Sequence, residues 1–163
     1  MYLAYKTDIG AVRDENQDNV VAGFIDENIA VVVVCDGMGG AQSGGVASEV
    51  AANTIYKRIT QNYRTNMRPN TVRNLMLTAV HAANTIVHEK SKEDIDKNGM
   101  GTTCVAALVD GKHCYIINVG DSRAYLLQKN NIEQITKDHT YVQMLFDEGL
   151  ITKEEQQNHK MRN

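Results

Sequence analysis

Seven consecutive apolar residues, IAVVVVC at positions 29–35, constrain the fold of this chain more than any other segment. Four of them are adjacent valines, and β-branched side chains favour an extended backbone. A short run without a polar residue is typical of a strand that is buried on both faces. The run is also far shorter than the roughly 20 apolar residues of a membrane span. The sequence therefore predicts a sheet with this strand in its interior.

Composition narrows the possible classes of protein. The chain has 163 residues, of which 42% are hydrophobic, and this suits one soluble domain. Acidic and basic residues are interspersed, with a net charge of −3, and no basic block indicates a nucleic-acid surface. The first residues lack the pattern of a secretory signal. Cys35, Cys104 and Cys114 have no paired spacing, which predicts reduced core thiols in a cytoplasmic protein.

The first half of the chain combines strand patterns with two helical patterns. Small and apolar side chains recur every four positions between Ala47 and Ile59, which predicts a helix over residues 45–63. Pro69 is suited to the first turn of a second helix, whose apolar stripe runs to Val87. Two more strands are predicted at residues 2–7 and 19–25, and a polar loop is predicted at residues 91–99.

The second half returns to strands before it becomes helical. Asp110-Gly111 and Gly120-Asp121 are turn signals between strand-like runs. From Thr140 onward the pattern is polar and helical. Strands are predicted here at residues 101–109, 115–119, 123–127 and 132–135. This order predicts an α+β fold in which helices pack on a mostly antiparallel sheet.

The apolar run leads directly into Asp36 and the glycine-rich GMGG. A carboxylate at the end of a buried strand lies at the rim of a sheet, and glycines let the backbone bend and expose its carbonyl groups. Mg²⁺ and Mn²⁺ prefer such oxygen ligands, so Asp36 and the carbonyl of Gly37 form a candidate ligand pair. The alternative is an ordinary strand-to-helix turn in which Asp36 is a cap.

Two other polar segments contain candidate site residues. In DIGAVRDENQD, the guanidinium fork of Arg13 suits a phosphate group, and Asp18 is able to accept hydrogen bonds from metal-bound water. In VGDSRAY, Asp121 follows a glycine at a predicted strand end. Taken alone, the first segment favours a charged loop and the second favours a hairpin turn.

Four segments taken in order carry a more specific signal: TDIGAVRDENQD, VCDGMGG, MGTTCVAAL and NVGDSRAY. Together they resemble the PPM, or type 2C, protein serine/threonine phosphatases, and the resemblance covers nearly the whole chain. Methionine at position 38, in place of histidine, is similar to the bacterial branch. The resemblance implies a sandwich of two antiparallel sheets flanked by pairs of antiparallel helices.

The resemblance also implies a role for each candidate residue. Asp36 would bridge two Mn²⁺ or Mg²⁺ ions, the Gly37 carbonyl would bind one of them, and Asp18 would hold the cluster directly or through water. Asp121 would contribute to a weaker third site, and Arg13 would hold the substrate phosphate. The implied reaction is hydrolysis of phosphoserine and phosphothreonine in proteins by a metal-activated water. The implied partners are phosphoproteins, including a serine/threonine kinase and its substrates.

The chain departs from the family pattern in its length. The family domain is longer, and its last third supplies two more metal-binding aspartates. We therefore expect residues 1–163 to be the amino-terminal two-thirds of a single phosphatase domain, truncated at the carboxyl end, with the flap region starting at about 137–163. We also expect weak metal binding and little activity. A non-catalytic module that binds phosphoproteins through Arg13, and a switch phosphatase of the sporulation or stress-response type, remain alternatives.

Overall fold

The computed structural model describes residues 1–39 and 43–161. Gly40, part of the predicted glycine bend, and Arg162 and Asn163, at the end of the predicted helical tail, lie outside the described residues.

The main sheet is antiparallel and has β2 (Ile29–Met38) in its interior, as predicted. Its strand order is β1 (Asp18–Asp26), β2, β4 (Cys104–Val109) and β5 (Cys114–Val119). A two-residue strand, β3 (Gly101–Thr102), pairs with the last residues of β2. The apolar run thus lies between two partner strands, which satisfies its backbone hydrogen bonds on both sides.

Two long helices cover one side of this sheet. They are α1 (Ser43–Asn62) and α2 (Pro69–Glu93), which pack against each other, and Pro69 is at the start of α2 as predicted. The predicted polar loop at 91–99 is partly wrong, because α2 continues to Glu93 and a single 3₁₀ turn follows at Ile95–Lys97. Lys90 and Lys92 in the last turn of α2 favour this extension, since cations stabilise a helix carboxyl end. No helix among the described residues is both long enough and apolar enough to cross a membrane.

The two faces of β2 have different environments. On the core face, Val31, Val33 and Cys35 are fully buried under the helices. On the open face, Val32 is half-buried and Val34 is 39% exposed. The prediction that β2 is buried on both faces is therefore wrong for the open face, because the helices pack against only one side of the sheet.

A small second sheet follows the first. Its strands are β6 (Tyr125–Gln128) and β7 (Asn131–Gln134), which form an antiparallel hairpin with exposed side chains. The predicted turn at Gly120-Asp121 therefore connects two sheets rather than two strands of one sheet. Helices α3 (Tyr141–Asp147) and α4 (Lys153–Asn158) complete the described chain. The predicted α+β class with antiparallel sheets is confirmed.

Two local predictions are wrong. Residues 2–7 form no strand, and Tyr2 and Tyr5 are exposed, because the described part of the chain offers this segment no strand to pair with. Cys114 is exposed rather than buried, since β5 is the edge strand of the main sheet. Cys35 and Cys104 are buried as predicted.

Candidate metal centre

Asp18 and Asp36, which we call the acidic pair, lie directly opposite each other on β1 and β2. The adjacent position of this ladder is hydrogen-bonded, because the amide of Gly37 donates to the carbonyl of Gln17 at 3.1 Å. The acidic pair therefore occupies a position without mutual backbone hydrogen bonds, where Cα atoms approach to about 4.5 Å and side chains are closest. Residues opposite each other share a face, and by the alternation along β2 this is the open face. The structure therefore brings together two carboxylates that are 18 positions apart in sequence.

The proximity of the two carboxylates is electrostatically unfavourable for Asp36. Loss of hydration raises the pKa of Asp36 above its usual value, and the charge and hydrogen bonding of Asp18 raise it further. The charge of Asp121 adds to this increase in pKa, and that of Arg13 partly offsets it. Like charges on opposite positions of neighbouring strands repel each other, so a bound cation would relieve the repulsion.

Arg13 and the acidic pair line one cavity of about 930 Å³ together with Gly37. Four of the five residues that the sequence singled out therefore face the same space. Further acidic residues also line it, namely Asp8, Asp14 and Glu15. The cavity thus combines one guanidinium group with a surplus of carboxylates, which suits a phosphate that binds together with cations.

Gly37 is required for a different reason from the one that the sequence suggested. A Cβ atom at this position would overlap the backbone of Gly44 at the start of α1 and the carbonyl of Gln17. The absence of a side chain lets α1 approach the end of β2 closely.

The helix also fixes the strand that carries Asp18. Ser48 of α1 is fully buried, donates a hydrogen bond to the carbonyl of Gln17 and accepts one from the side-chain amide of Asn19 at 2.9 Å. Both sequence neighbours of Asp18 are therefore anchored to α1. Ser48 was not predicted from the sequence, although a serine among alanines on the core side of a helix was a usable signal.

Asp121 lies in the turn formed by residues 120–124, which we call the Asp121 turn. Its charge acts on Asp36, but it does not line the cavity of the acidic pair. Gly120 has a φ of +97°, and a Cβ there would lie 2.9 Å from the Cβ of Thr103, so both backbone conformation and space select glycine. The amide of His139 donates to the carbonyl of Gly120 at 2.9 Å, which holds the turn against the segment before α3.

Thr103 connects Asp36 to the Asp121 turn. Its hydroxyl accepts a hydrogen bond from the amide of Asp36 at 3.0 Å, and its own amide donates to the carbonyl of Asp36 at 2.9 Å. The same hydroxyl lies 2.6 Å from the hydroxyl of Ser122. Thr103 is 3% exposed, so these bonds are shielded from water. The sequence indicated the MGTTC segment as part of a motif but gave Thr103 no role.

A charged contact outside the site anchors the second sheet. The guanidinium of Arg123 forms a fork on the carboxylate of Asp138, with nitrogen–oxygen distances from 2.6 to 3.0 Å. Hydrogen bonds with Asp138 raise the pKa of Arg123 above its usual value. The side-chain amide of Gln134 also reaches Asp138, at 3.2 Å. This contact ties the β6–β7 hairpin to the segment that precedes α3.

The side chains of the site offer the type of ligand atom that a hard divalent cation prefers. The carboxylates of the acidic pair are oxygen ligands, which Mg²⁺ and Mn²⁺ prefer. Within residues 1–39 and 43–161, however, no three side chains of His, Cys, Asp or Glu come together as a metal-binding group. The acidic pair alone would therefore be an incomplete ligand set, and Asp121 does not line the same cavity.

Comparison with known proteins places this geometry in a family. The family model described as protein phosphatase 2C matches residues 11–160. The chain belongs to the protein phosphatase 2C family. This phosphatase 2C chain is 36% identical, over 166 residues, to the serine/threonine phosphatase stp of Listeria welshimeri, and the match covers all of the chain and 64% of that relative. The chain thus spans about two-thirds of the length of this curated relative.

Solved structures match the phosphatase 2C chain in the same way. The crystal structure of the serine/threonine phosphatase Stp1 from Staphylococcus aureus is 38% identical, with a TM-score of 0.85, and the match covers 96% of this chain and 61% of that one. The catalytic domain of the serine/threonine protein phosphatase PstP, in complex with two manganese ions, is 36% identical with a TM-score of 0.76, covering 92% of this chain and 61% of that one. The predicted family and fold are confirmed.

Proposed function

We propose that this chain is the amino-terminal part of a phosphatase that hydrolyses phosphoserine and phosphothreonine in proteins with the help of Mn²⁺ or Mg²⁺. The observation that supports this most directly is the acidic pair beside Arg13 in one cavity. Relatives at 36% identity are named serine/threonine phosphatases, and one solved relative holds two manganese ions.

In the proposed site, Asp36 and the carbonyl of Gly37 would hold the cations, with Asp18 holding them directly or through water, and Asp121 would contribute to a weaker third position. Bound divalent ions supply an activated water near neutral pH and polarise the phosphoryl oxygens. The backbone that carries these donors is held by the fold itself, because α1 anchors the neighbours of Asp18 and Thr103 anchors the backbone of Asp36.

A further residue of the cavity, Arg13, would act on the substrate. Arg13 would hold two phosphoryl oxygens with its guanidinium fork and offset their charge. Met38 is 55% exposed next to Gly37, but a thioether has no proton to donate. The proton for the leaving serine or threonine oxygen must therefore come from another group.

The proposed domain organisation predicts weak ion binding. Because the family resemblance implies two further aspartate ligands in the last third of the domain, residues 1–163 would hold only part of the ligand set. Low affinity and little turnover of p-nitrophenyl phosphate with excess Mn²⁺ are expected. Residues from about 137 onward, including α3 and α4, would begin the flap region. Kinase partners and a cytoplasmic location stay predictions from the sequence.

Titration with Mn²⁺, followed by electron paramagnetic resonance of the free ion, tests the site directly. We expect Asp36→Asn and Asp18→Asn each to weaken binding at least about tenfold, since charge count sets the affinity of such sites. Asp14→Asn is the matched control, because Asp14 lines the same cavity without belonging to the acidic pair. Equal losses in all three variants, or no loss in the first two, would contradict the proposed site.

A second function is favoured by the absence of a three-residue metal group among the described residues. A chain with a partial ligand set could bind phosphoproteins through Arg13 without hydrolysing them. The two functions differ in their dependence on metal. A binding module should retain a phosphoserine peptide in EDTA and lose it in Arg13→Ala, whereas the proposed phosphatase site should need Mn²⁺ for the same peptide. Fluorescence anisotropy of a labelled peptide distinguishes these results.

A further inference from the structure

Cys35 on β2 and Cys104 on β4 face each other across the sheet. The register of the two strands pairs Val34 with Val105, and the amide of Thr103 donates to the carbonyl of Asp36 at 2.9 Å. Both observations place Cys35 directly opposite Cys104, with their side chains on the core face.

The two cysteines lie at the kind of strand-pair position where facing residues are closest, so their sulfur atoms are close enough to bond. Because the neighbouring Asp36–Thr103 position carries the backbone hydrogen bond, the cysteines occupy a position without one, and there Cα atoms lie about 4.5 Å apart. Disulfides usually join Cα atoms about 4.4 to 6.8 Å apart, so the backbone already has a suitable separation. Cys114 instead pairs with Val109, at the far end of β4.

A small oxidant has access to this buried pair. Cys104 is only 4% exposed, but it lines a cavity of about 290 Å³ between the helices and the sheet. Met38, which is 55% exposed, lines the same cavity, so the cavity reaches the surface. A single water needs about 10–15 Å³ in this measure, so a hydroperoxide, little larger than water, is able to enter.

We propose that Cys35 and Cys104 form an oxidisable dithiol that hydrogen peroxide converts into a cross-strand disulfide. The sulfur of Cys104 attacks one peroxide oxygen and the O–O bond breaks, which leaves a sulfenic acid and water. The sulfur of Cys35 then attacks that sulfur, the S–O bond breaks, and hydroxide leaves as water with the thiol proton. Two sulfur atoms are oxidised, and the peroxide is reduced to water. An added dithiol reverses the reaction by exchange.

This modification site is independent of phosphate hydrolysis, so its test needs no enzyme assay. The folded chain is treated with hydrogen peroxide, unfolded in iodoacetamide and mapped by peptide mass spectrometry. We expect a Cys35–Cys104 linked peptide to exceed any link that contains Cys114 by at least about tenfold, because only the first pair has a bondable separation. Dithiothreitol should restore alkylation of both cysteines.

The same treatment of urea-unfolded chain is the matched control, and there the three cysteines should link without this preference. Cys114→Ser should leave the native link intact and remove every other one. Full alkylation of Cys35 and Cys104 in the folded chain, at a peroxide dose that oxidises the exposed Cys114, would overturn the proposal. Equal amounts of all three links in the folded chain would overturn it as well.

Discussion

The core face and the open face of β2 are built from adjacent residues of one strand but serve different ends. Val33 on the core face is fully buried under the helices, whereas Val34 on the open face is 39% exposed. Further along the open face, Asp36 meets Asp18 across the ladder. Apolar burial is the main favourable term in folding, and facing like charges oppose it. The core face therefore stabilises the strand that positions an unfavourable pair of charges on the other face.

Truncation of two neighbouring valines, one on each face, should give the greatest difference in stability. Val33→Ala should lower the free energy of unfolding by about 2–3 kcal/mol, because it removes buried methyl groups and leaves a cavity. Val34→Ala should lower it by less than about 1 kcal/mol, since much of that side chain is already in contact with water. Urea unfolding followed by circular dichroism measures both. Similar losses would show that the two faces are equally buried in solution.

A smaller loss of stability is expected when the hydrogen bond between Thr103 and Asp36 is removed. Thr103→Val should lower the free energy of unfolding by about 1–2 kcal/mol, because the amide of Asp36 loses the acceptor that the buried Thr103 provides. Thr103→Ser keeps the hydroxyl and serves as the matched control. Amide hydrogen exchange at Asp36 should be faster in the valine variant alone. Unchanged exchange in Thr103→Val would show that this hydrogen bond does not hold the strand.

On the open face, a substitution should stabilise the protein slightly rather than destabilise it. Without divalent ions at neutral pH, Asp36→Asn should raise the free energy of unfolding by about 0.5 kcal/mol, because it removes a like charge from a cross-strand pair. Thermal unfolding in EDTA measures the change. Asp14→Asn, which alters the same cavity outside the ladder, should change stability less. A lower melting temperature for Asp36→Asn would contradict the repulsion.

The pH dependence of this difference follows from the raised pKa of Asp36. The folded state binds the proton of Asp36 more tightly than the unfolded state does, so its contribution to stability is fully present below the usual aspartate pKa. That contribution is lost as pH rises through the higher pKa of the folded state. The advantage of Asp36→Asn should therefore appear at neutral pH and disappear below the usual pKa of aspartate. Thermal unfolding across this range tests the sign.

The sequence predicted the elements whose signals are local. Residues 29–35 became the interior strand because β-branched apolar side chains favour extended backbone, and Pro69 began α2 because it fits a first helical turn. The exposure of the open face of β2 was not predictable locally, since it depends on which layers pack against the sheet. The strand expected at residues 2–7 failed for a similar reason, because strand formation needs a partner that the local pattern does not reveal.

The candidate site was predicted through its carboxylates and arginine but not through the groups that hold them. Arg13, Asp18 and Asp36 were selected for their chemistry, and the structure places them around one cavity. Thr103 and Ser48 escaped notice because their roles arise from ladder register and helix contact, which only the folded chain shows. The ligand roles assigned to these residues, including those of Gly37 and Asp121, stay predictions that ion titration will test.

The backbone hydrogen bond from His139 to Gly120 has a mechanical consequence. Because the backbone of Gly120 is fastened to the segment that enters α3, a force applied to that segment pulls on Asp121 before it reaches Asp18 or Asp36. Any movement of that segment would be felt first at Asp121, and the contact between Ser122 and Thr103 would pass it on to the backbone of Asp36.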